Sequence, residues 1–355
     1  MHLERNVVFW VAALVVFVGL LWLLSPILLP FVLGMAIAYV LDPLANRLSK
    51  HGVSRLLAAL IILGGFVAVL VLLLLLIAPV LSQQFSSFIE NAPFYAQRLQ
   101  VFVSDPSHPW IKRMIGDNLV GADKSVGDIL NQAMGYLTRF LASLWSQGQT
   151  LLSIFSLVII TPVVAFYLIC DWDRMLSTMD RLVPLPQRET VRSLGREIDA
   201  TISAYVRGQS GICLILGSYY AVGLTLAGLN FGLLIGVVSG LISFIPYVGS
   251  LTALVLALAV AAAQFIPDWT RIVTVVGIVL VGQFLEGNLL SPKLVGHSVG
   301  LHPVWLMFAL FAFGYLFGFV GLLLAVPLAA AAGVLIRFAI RRYLASPFYT
   351  GARPP

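Results

Sequence analysis

The sequence predicts an all-α, polytopic integral membrane protein with about 8 transmembrane helices, short re-entrant or half-helices among them, and amphipathic helices outside the membrane. Three observations carry this. Of 355 residues, 60% are hydrophobic and only 10% are charged, where a soluble domain holds about 25% charged residues. The mean hydropathy is +1.00. Uncharged stretches recur along the chain at Asn6–Leu41, Leu56–Ile89, Phe140–Cys170, Gly208–Pro267, Ile272–Leu285 and Pro303–Ile336. One crossing takes roughly 20 apolar residues at about 1.5 Å each.

The N-terminus has a short polar start (His2, Glu4, Arg5) and no small-residue cleavage site, so it reads as a retained first helix. Asn6–Leu41 suffices for a tight pair, split by Ser25-Pro26 and Pro30. Leu56–Pro79 is one helix, and residues 1–81 group as the N-terminal membrane helices. Residues 82–149 form an extracytoplasmic helical segment. In it Val126, Ile129, Leu130, Ala133, Leu137, Phe140, Leu141 and Leu144 share one face, and Ser125 with Asp128 makes a capping start. Residues 150–170 make a further crossing, which bends if anywhere at Thr161-Pro162.

Residues 171–207 read as a cytoplasmic amphipathic helix. Val191, Leu194, Ile198, Ile202 and Tyr205 face one way, and Arg188, Arg192 and Arg196 the other. Gly208–Pro267 would be about 90 Å long as one helix, three times the hydrocarbon thickness, so it must fold back at least twice. Its breaks are Gly228-Leu229-Asn230 and Pro246–Ser250. The pieces between them, Phe231–Ile245 and Ser250–Ile266, are marginal for spanning and suit a re-entrant hairpin or half-helices. Pro303–Ile336 splits near Gly314, Gly318 and Gly321, with Pro327 beyond, as packing or hinge positions. Residues 208–340 thus form a C-terminal transport core, and 341–355 a tail.

Cations in the short segments set the orientation. Arg47, Lys50 and Arg55, the arginines of 171–207, and Arg337, Arg341, Arg342 and Arg353 all fall on one side, which is then cytoplasmic. Both termini are expected there. The net charge of +6 fits loops that face anionic lipid. No basic cluster with interleaved aromatics points to nucleic acid. Cys170 and Cys213 form no Cys-x-x-Cys pair, so neither a disulfide framework nor a metal site follows, and no cofactor is expected.

Two places hold polar chemistry within apolar surroundings. Glu286 is the first. A carboxylate at the bilayer centre costs about 2.5–3.5 kcal/mol and usually faces a partner or a water path. Glu286 either marks the wet cytoplasmic end of its helix or is a protonatable or cation-binding site. Gln283 and Asn288 are its near neighbours, with Lys293 and His297 as counter-charges. The second is Phe244–Ser250. Pro246 ends a helix and Gly249 permits a sharp turn, with Tyr247 and Ser250 beside them. This stretch is either an interface loop anchored by Tyr247 or a pair of half-helix ends forming a gate or solute site. Gln209, Asn230 and Gln264 read as interhelical hydrogen-bonding groups. Asp171 and Asp173 beside Trp172 and Arg174 read as a charged interface collar, and His302 as a solvated loop histidine.

Enzyme readings find no support. There is no His-Glu-x-x-His and no phosphate loop with Gly-Lys-Ser/Thr. Ser239 has no histidine within an apolar run to activate it.

Phe244-Ile245-Pro246-Tyr247-Val248-Gly249 and Glu286-Gly287-Asn288 with Pro292-Lys293 and Gly296 resemble the autoinducer-2 exporter family of bacterial permease-like proteins. Leu301-His302-Pro303, Gly318-Phe319-Val320-Gly321 and Leu324-Ala325-Val326-Pro327-Leu328 extend the likeness, which covers nearly the whole chain. The resemblance implies a secondary transporter of the bacterial inner membrane that exports a small signalling-type molecule. Sodium/proton exchange is the role it implies for some members. It also implies a homo-oligomer, a pentamer. Three functions are thereby set against one another: a proton-driven exporter of a small polar solute, a monovalent cation/proton antiporter, and an oligomeric membrane scaffold without transport.

Overall fold

The computed structural model describes residues 19–24, 27–104, 156–296 and 302–346, with a few single positions beside them. The expected helix over Ser125–Gln147, the counter-charge His297 and the start of the first apolar run lie outside the described residues. Every regular element among those described is helical. Six of these helices are long and apolar enough to cross a membrane.

Helix α1 spans Leu29–Lys50 and opens on Pro30, where a missing amide hydrogen costs nothing. It continues through Pro43, and the chain turns toward the next helix only at His51-Gly52. Helix α2, Arg55–Ser104, runs on past Pro79, the end expected from sequence. A π-helical turn, Ser156–Ile160, then feeds α3, Thr161–Arg181. The wider turn lies immediately before Pro162, whose ring crowds the preceding turn and whose nitrogen offers no hydrogen.

Helix α4, Arg188–Leu226, takes the amphipathic stretch straight into the membrane run, because no proline interrupts it. Asp180 clamps the turn before it, pairing with Arg188 and Arg192, each at 2.7 Å. Next come α5, Gly232–Ile242, α6, Val248–Phe265, and α7, Trp269–Leu285. At about 16 Å, α5 is too short to span. The Asp268 carboxylate caps α7, accepting from the Arg271 amide. Beyond α7, Glu286–Val295 is wound as a π-helix through Pro292. Helix α8, Pro303–Leu344, folds back on itself at Gly318, whose φ of 59° and ψ of −138° suit glycine alone. Gly314 and Gly321 let its two arms touch, against Leu322 and Phe313.

The described residues group into two compact units. The first draws on Met1–Val67, Phe155–Gln209 and Pro292–Pro355. Its core is small: Ala38, Leu41 and Ala45 of α1, Ala59 and Leu63 of α2, and Ala165 and Ile169 of α3. Alanines let the helix backbones approach, the usual packing where lipid outside is as apolar as leucine. Arg55 fastens the polar end of this core, donating to Asp42 at 2.7 Å, to the Ile169 carbonyl at 2.9 Å and to Asn46. Glu197 pairs with Arg337 at 3.4 Å.

The second unit draws on Ala68–Ile154 and Ser210–Ser291. Its turn at Gly228–Asn230 is closed by Gln264, which accepts from the Asn230 amide at 2.8 Å and donates to the Gly228 carbonyl at 2.9 Å. Gln84 accepts from the Leu234 amide and so caps the start of α5. The two candidate stretches, Phe244–Ser250 and Glu286, both belong to this unit.

Candidate functional site

The corner between α5 and α6 follows from Pro246, which cannot continue a helix, and from Tyr247, held in the left-handed region at φ 68°. A bulky side chain there is a backbone outlier, of the kind that persists only when its surroundings impose it. The corner is closed by its own backbone: the Ile245 amide bonds the Ile242 carbonyl at 2.9 Å, and the Val248 amide bonds the Ile245 carbonyl at 3.2 Å. Gly249 sits against Ser243, with no room for a side chain. The Ser250 hydroxyl donates back to the Tyr247 carbonyl at 3.3 Å. The Tyr247 ring is about half exposed, at 51%.

Glu286 stands where α7 ends and the π-helical winding begins. Such wide turns leave carbonyls less regularly paired and frequently mark functional positions. The carboxylate is half-buried and has no ion pair among the described residues. Of its expected neighbours, Gln283 is half-buried one turn back on the same side. The exposed Asn288 amide donates instead to the Phe284 carbonyl at 3.2 Å. Lys293 is exposed and belongs to the other compact unit.

The sequence reading missed the element facing Glu286, which is α4. Gly282 lies one turn before Glu286, so the two share a face of α7. On that face Gly282 touches the ring of Tyr220, and a methyl group placed on Gly282 would come within 2.5 Å of the Tyr220 hydroxyl oxygen. Tyr219 donates to the Ile278 carbonyl at 3.0 Å and fixes the same pair of helices one turn away. Tyr220 is wholly buried, and its hydroxyl has no hydrogen-bond partner among the described residues. Glu286 lies within electrostatic range of both Tyr220 and Cys213. Among described residues, no cluster of His, Cys, Asp or Glu could hold a metal ion.

Helix α4 also holds the corner helix. Gly217 meets Gly240, and Ala221 meets Gly236, backbone against backbone. Ser239, between those two glycines, is fully buried with its hydroxyl unpartnered among the described residues. The signal was present in the sequence as Gly236-Val237-Val238-Ser239-Gly240, two small residues one turn apart. Nothing in that spacing says which helix will lie against it. The acid and the corner are therefore joined through α4, which packs on α5 with one side and on α7 with another.

A family model described as the AI-2E family transporter matches residues 11–341. YrrI of Bacillus subtilis, provisionally named a transport protein, is 31% identical over 89% of this chain and 87% of its own length. PerM of Escherichia coli, provisionally named a permease, is 29% identical over 90% of each chain. The AI-2 transport protein TqsA of Escherichia coli is 26% identical over 86% of this chain and 83% of its own.

Proposed function

The chain belongs to the AI-2E transporter family, and from that premise we propose a secondary transporter of the bacterial inner membrane that exports a small polar solute against proton entry, with Glu286 as the proton carrier. The observation that carries this reading is the Glu286 face of α7, turned toward the buried hydroxyl of Tyr220, which has no partner among the described residues. A carboxylate in apolar surroundings is cheapest when neutral, so crossing favours its protonated form. Tyr220 can accept a hydrogen bond from the protonated acid and donate one to the carboxylate. Gln283 lines the same side, and the corner at Pro246, Tyr247, Gly249 and Ser250 acts as the gate. Asn288 is a neighbour of the path in this reading.

Cations in the short segments support a cytoplasmic placement of both termini. The family resemblance supports a homo-oligomer. The driving force is adequate: one charge moving through 100 mV supplies about 2.3 kcal/mol, enough for roughly a 50-fold gradient of a neutral solute.

The test uses purified protein in vesicles with an imposed proton gradient and a panel of small polar solutes and monovalent cations. Glu286→Gln abolishes proton-coupled flux while the protein still assembles. Flux of the same size and gradient dependence in that variant would remove Glu286 from the mechanism. Proton release that needs a cation and no organic solute would replace the exporter with the antiporter, and absence of any flux would favour the scaffold.

A further inference from the structure

The first compact unit holds a polar cleft that the Glu286 site does not use. It holds a space of about 80 Å³ among α1, α3 and α4, and Tyr39, Asp42, Trp172, Asp199, Ser203 and Arg207 contribute its chemistry. One water needs about 10–15 Å³ of such space, so the cleft admits a ligand of a few heavy atoms. Asp199, Ser203 and Arg207 are spaced four apart on α4, so they form one stripe. Long helical side chains lean toward the helix N-terminus, which brings the Arg207 guanidinium back over the turn that holds Ser203.

The two carboxylates of the cleft differ in what they still offer. Asp42 is engaged at both oxygens: Arg55 reaches one and the Asn46 amide the other, each at 2.7 Å. Asp199 accepts only the Tyr39 hydroxyl, at 2.9 Å, among the contacts the described residues make with it. A carboxylate accepts about four hydrogen bonds. Arg207 is exposed and forms no ion pair among the described residues. The same cleft is lined by an aromatic pair, Tyr39 edge-on to Trp172 with ring centroids 6.3 Å apart. One wanting acceptor, one wanting donor and aromatic lining complement a ligand that carries both charges.

We propose that this cleft binds a short zwitterion, with its ammonium on Asp199 against the Tyr39–Trp172 wall and its anionic group on Arg207. The ammonium gains an ionic hydrogen bond and an aromatic face together. The planar guanidinium matches a carboxylate or phosphate with two parallel donors. Ser203 supplies a hydroxyl between the two ends. The same chemistry is presented by a free amino acid or phosphoethanolamine and by the headgroup of phosphatidylethanolamine. The assignment stands apart from the role of Glu286, because binding here needs no gradient.

The experiment is binding of phosphoethanolamine to the full chain in nanodiscs of phosphatidylglycerol, read by calorimetry and by tryptophan fluorescence. Saturable binding is expected. Asp199→Asn and Arg207→Gln each weaken it at least tenfold, Arg207→Lys recovers part of the loss, and Glu286→Gln leaves it unchanged. Ethanolamine and methyl phosphate, each carrying one charge, bind more weakly than the zwitterion. Loss of the signal when phosphatidylethanolamine is built into the disc assigns the cleft to a lipid headgroup. Equal affinity in both discs assigns it to a soluble solute. Absence of saturable binding in phosphatidylglycerol discs overturns the proposal. So does binding that survives Arg207→Gln, a change at an exposed position that leaves folding intact.

Discussion

Gly282 and Tyr220 meet so closely that a single methyl group on the glycine would fall within 2.5 Å of the phenolic oxygen. Both are buried, and the hydroxyl between them has no partner among the described residues. This close contact orients the helix that carries Glu286.

Two substitutions probe this contact in opposite directions. Gly282→Ala overpacks it and is expected to destabilise by about 1–3 kcal/mol. Tyr220→Phe deletes a buried polar atom that has nothing to bond, so stability is unchanged or higher, by up to about 1–3 kcal/mol. Thermal unfolding in detergent measures both. A clear loss of stability in Tyr220→Phe would show that the hydroxyl has a partner.

At Gly318 the backbone occupies φ 59° and ψ −138°. An alanine there would carry a Cβ in a region that only glycine enters freely, at a cost of about 1–3 kcal/mol. Gly318→Ala should lower the yield of monodisperse protein. Alanine at Gly287, where a Cβ meets open space, should leave that yield unchanged.

Arg55 joins three elements through Asp42, Asn46 and the Ile169 carbonyl. Arg55→Met keeps the apolar stem and removes every donor, and should cost about 2 kcal/mol. Lysine at the same position recovers only part of this, because one ammonium cannot reproduce the fork. Midpoints of thermal unfolding for the two variants should fall in that order.

Arg192 first, and Arg188 with it, hold the Asp180 carboxyl down to about 2. A depressed carboxyl contributes stability that is fully present above its unfolded value of about 4. That contribution fades as pH falls and is gone below about 2. Protection from hydrogen exchange around Leu182–Gln187, relative to the unstructured chain at the same pH, should therefore fall between pH 4 and 2. In Asp180→Asn the same turn should be weakly protected at every pH.

Much of the architecture was legible because it is local chemistry. Pro162 marks the π-helical turn before it, Pro246 the corner, and Gly318 the fold of α8, each through what its own backbone can or cannot do. Helix ends were less legible. The helix expected over Leu56–Pro79 runs to Ser104, and the stretch expected as a separate helix over 171–207 continues into α4. A proline weakens a helix at one turn, and neighbouring turns packed on other helices can carry it through. Tyr220 was not legible at all. In an apolar run a tyrosine resembles any lipid-facing aromatic, and its partner Gly282 lies far along the chain.

Taken alone, the sequence determined that this chain dissolves in lipid, where prolines and glycines bend its backbone, and that an acid at position 286 closes an apolar run of the C-terminal half. Those properties are sums over neighbouring residues, so no folded structure is needed to read them. Which way each helix is turned was left to the tertiary structure. Small residues such as Gly217, Gly236, Gly240 and Gly282 allow close approach from several directions. Only the simultaneous packing of α4, α5 and α7 selects one rotation, and with it the face on which Glu286 and Tyr220 meet.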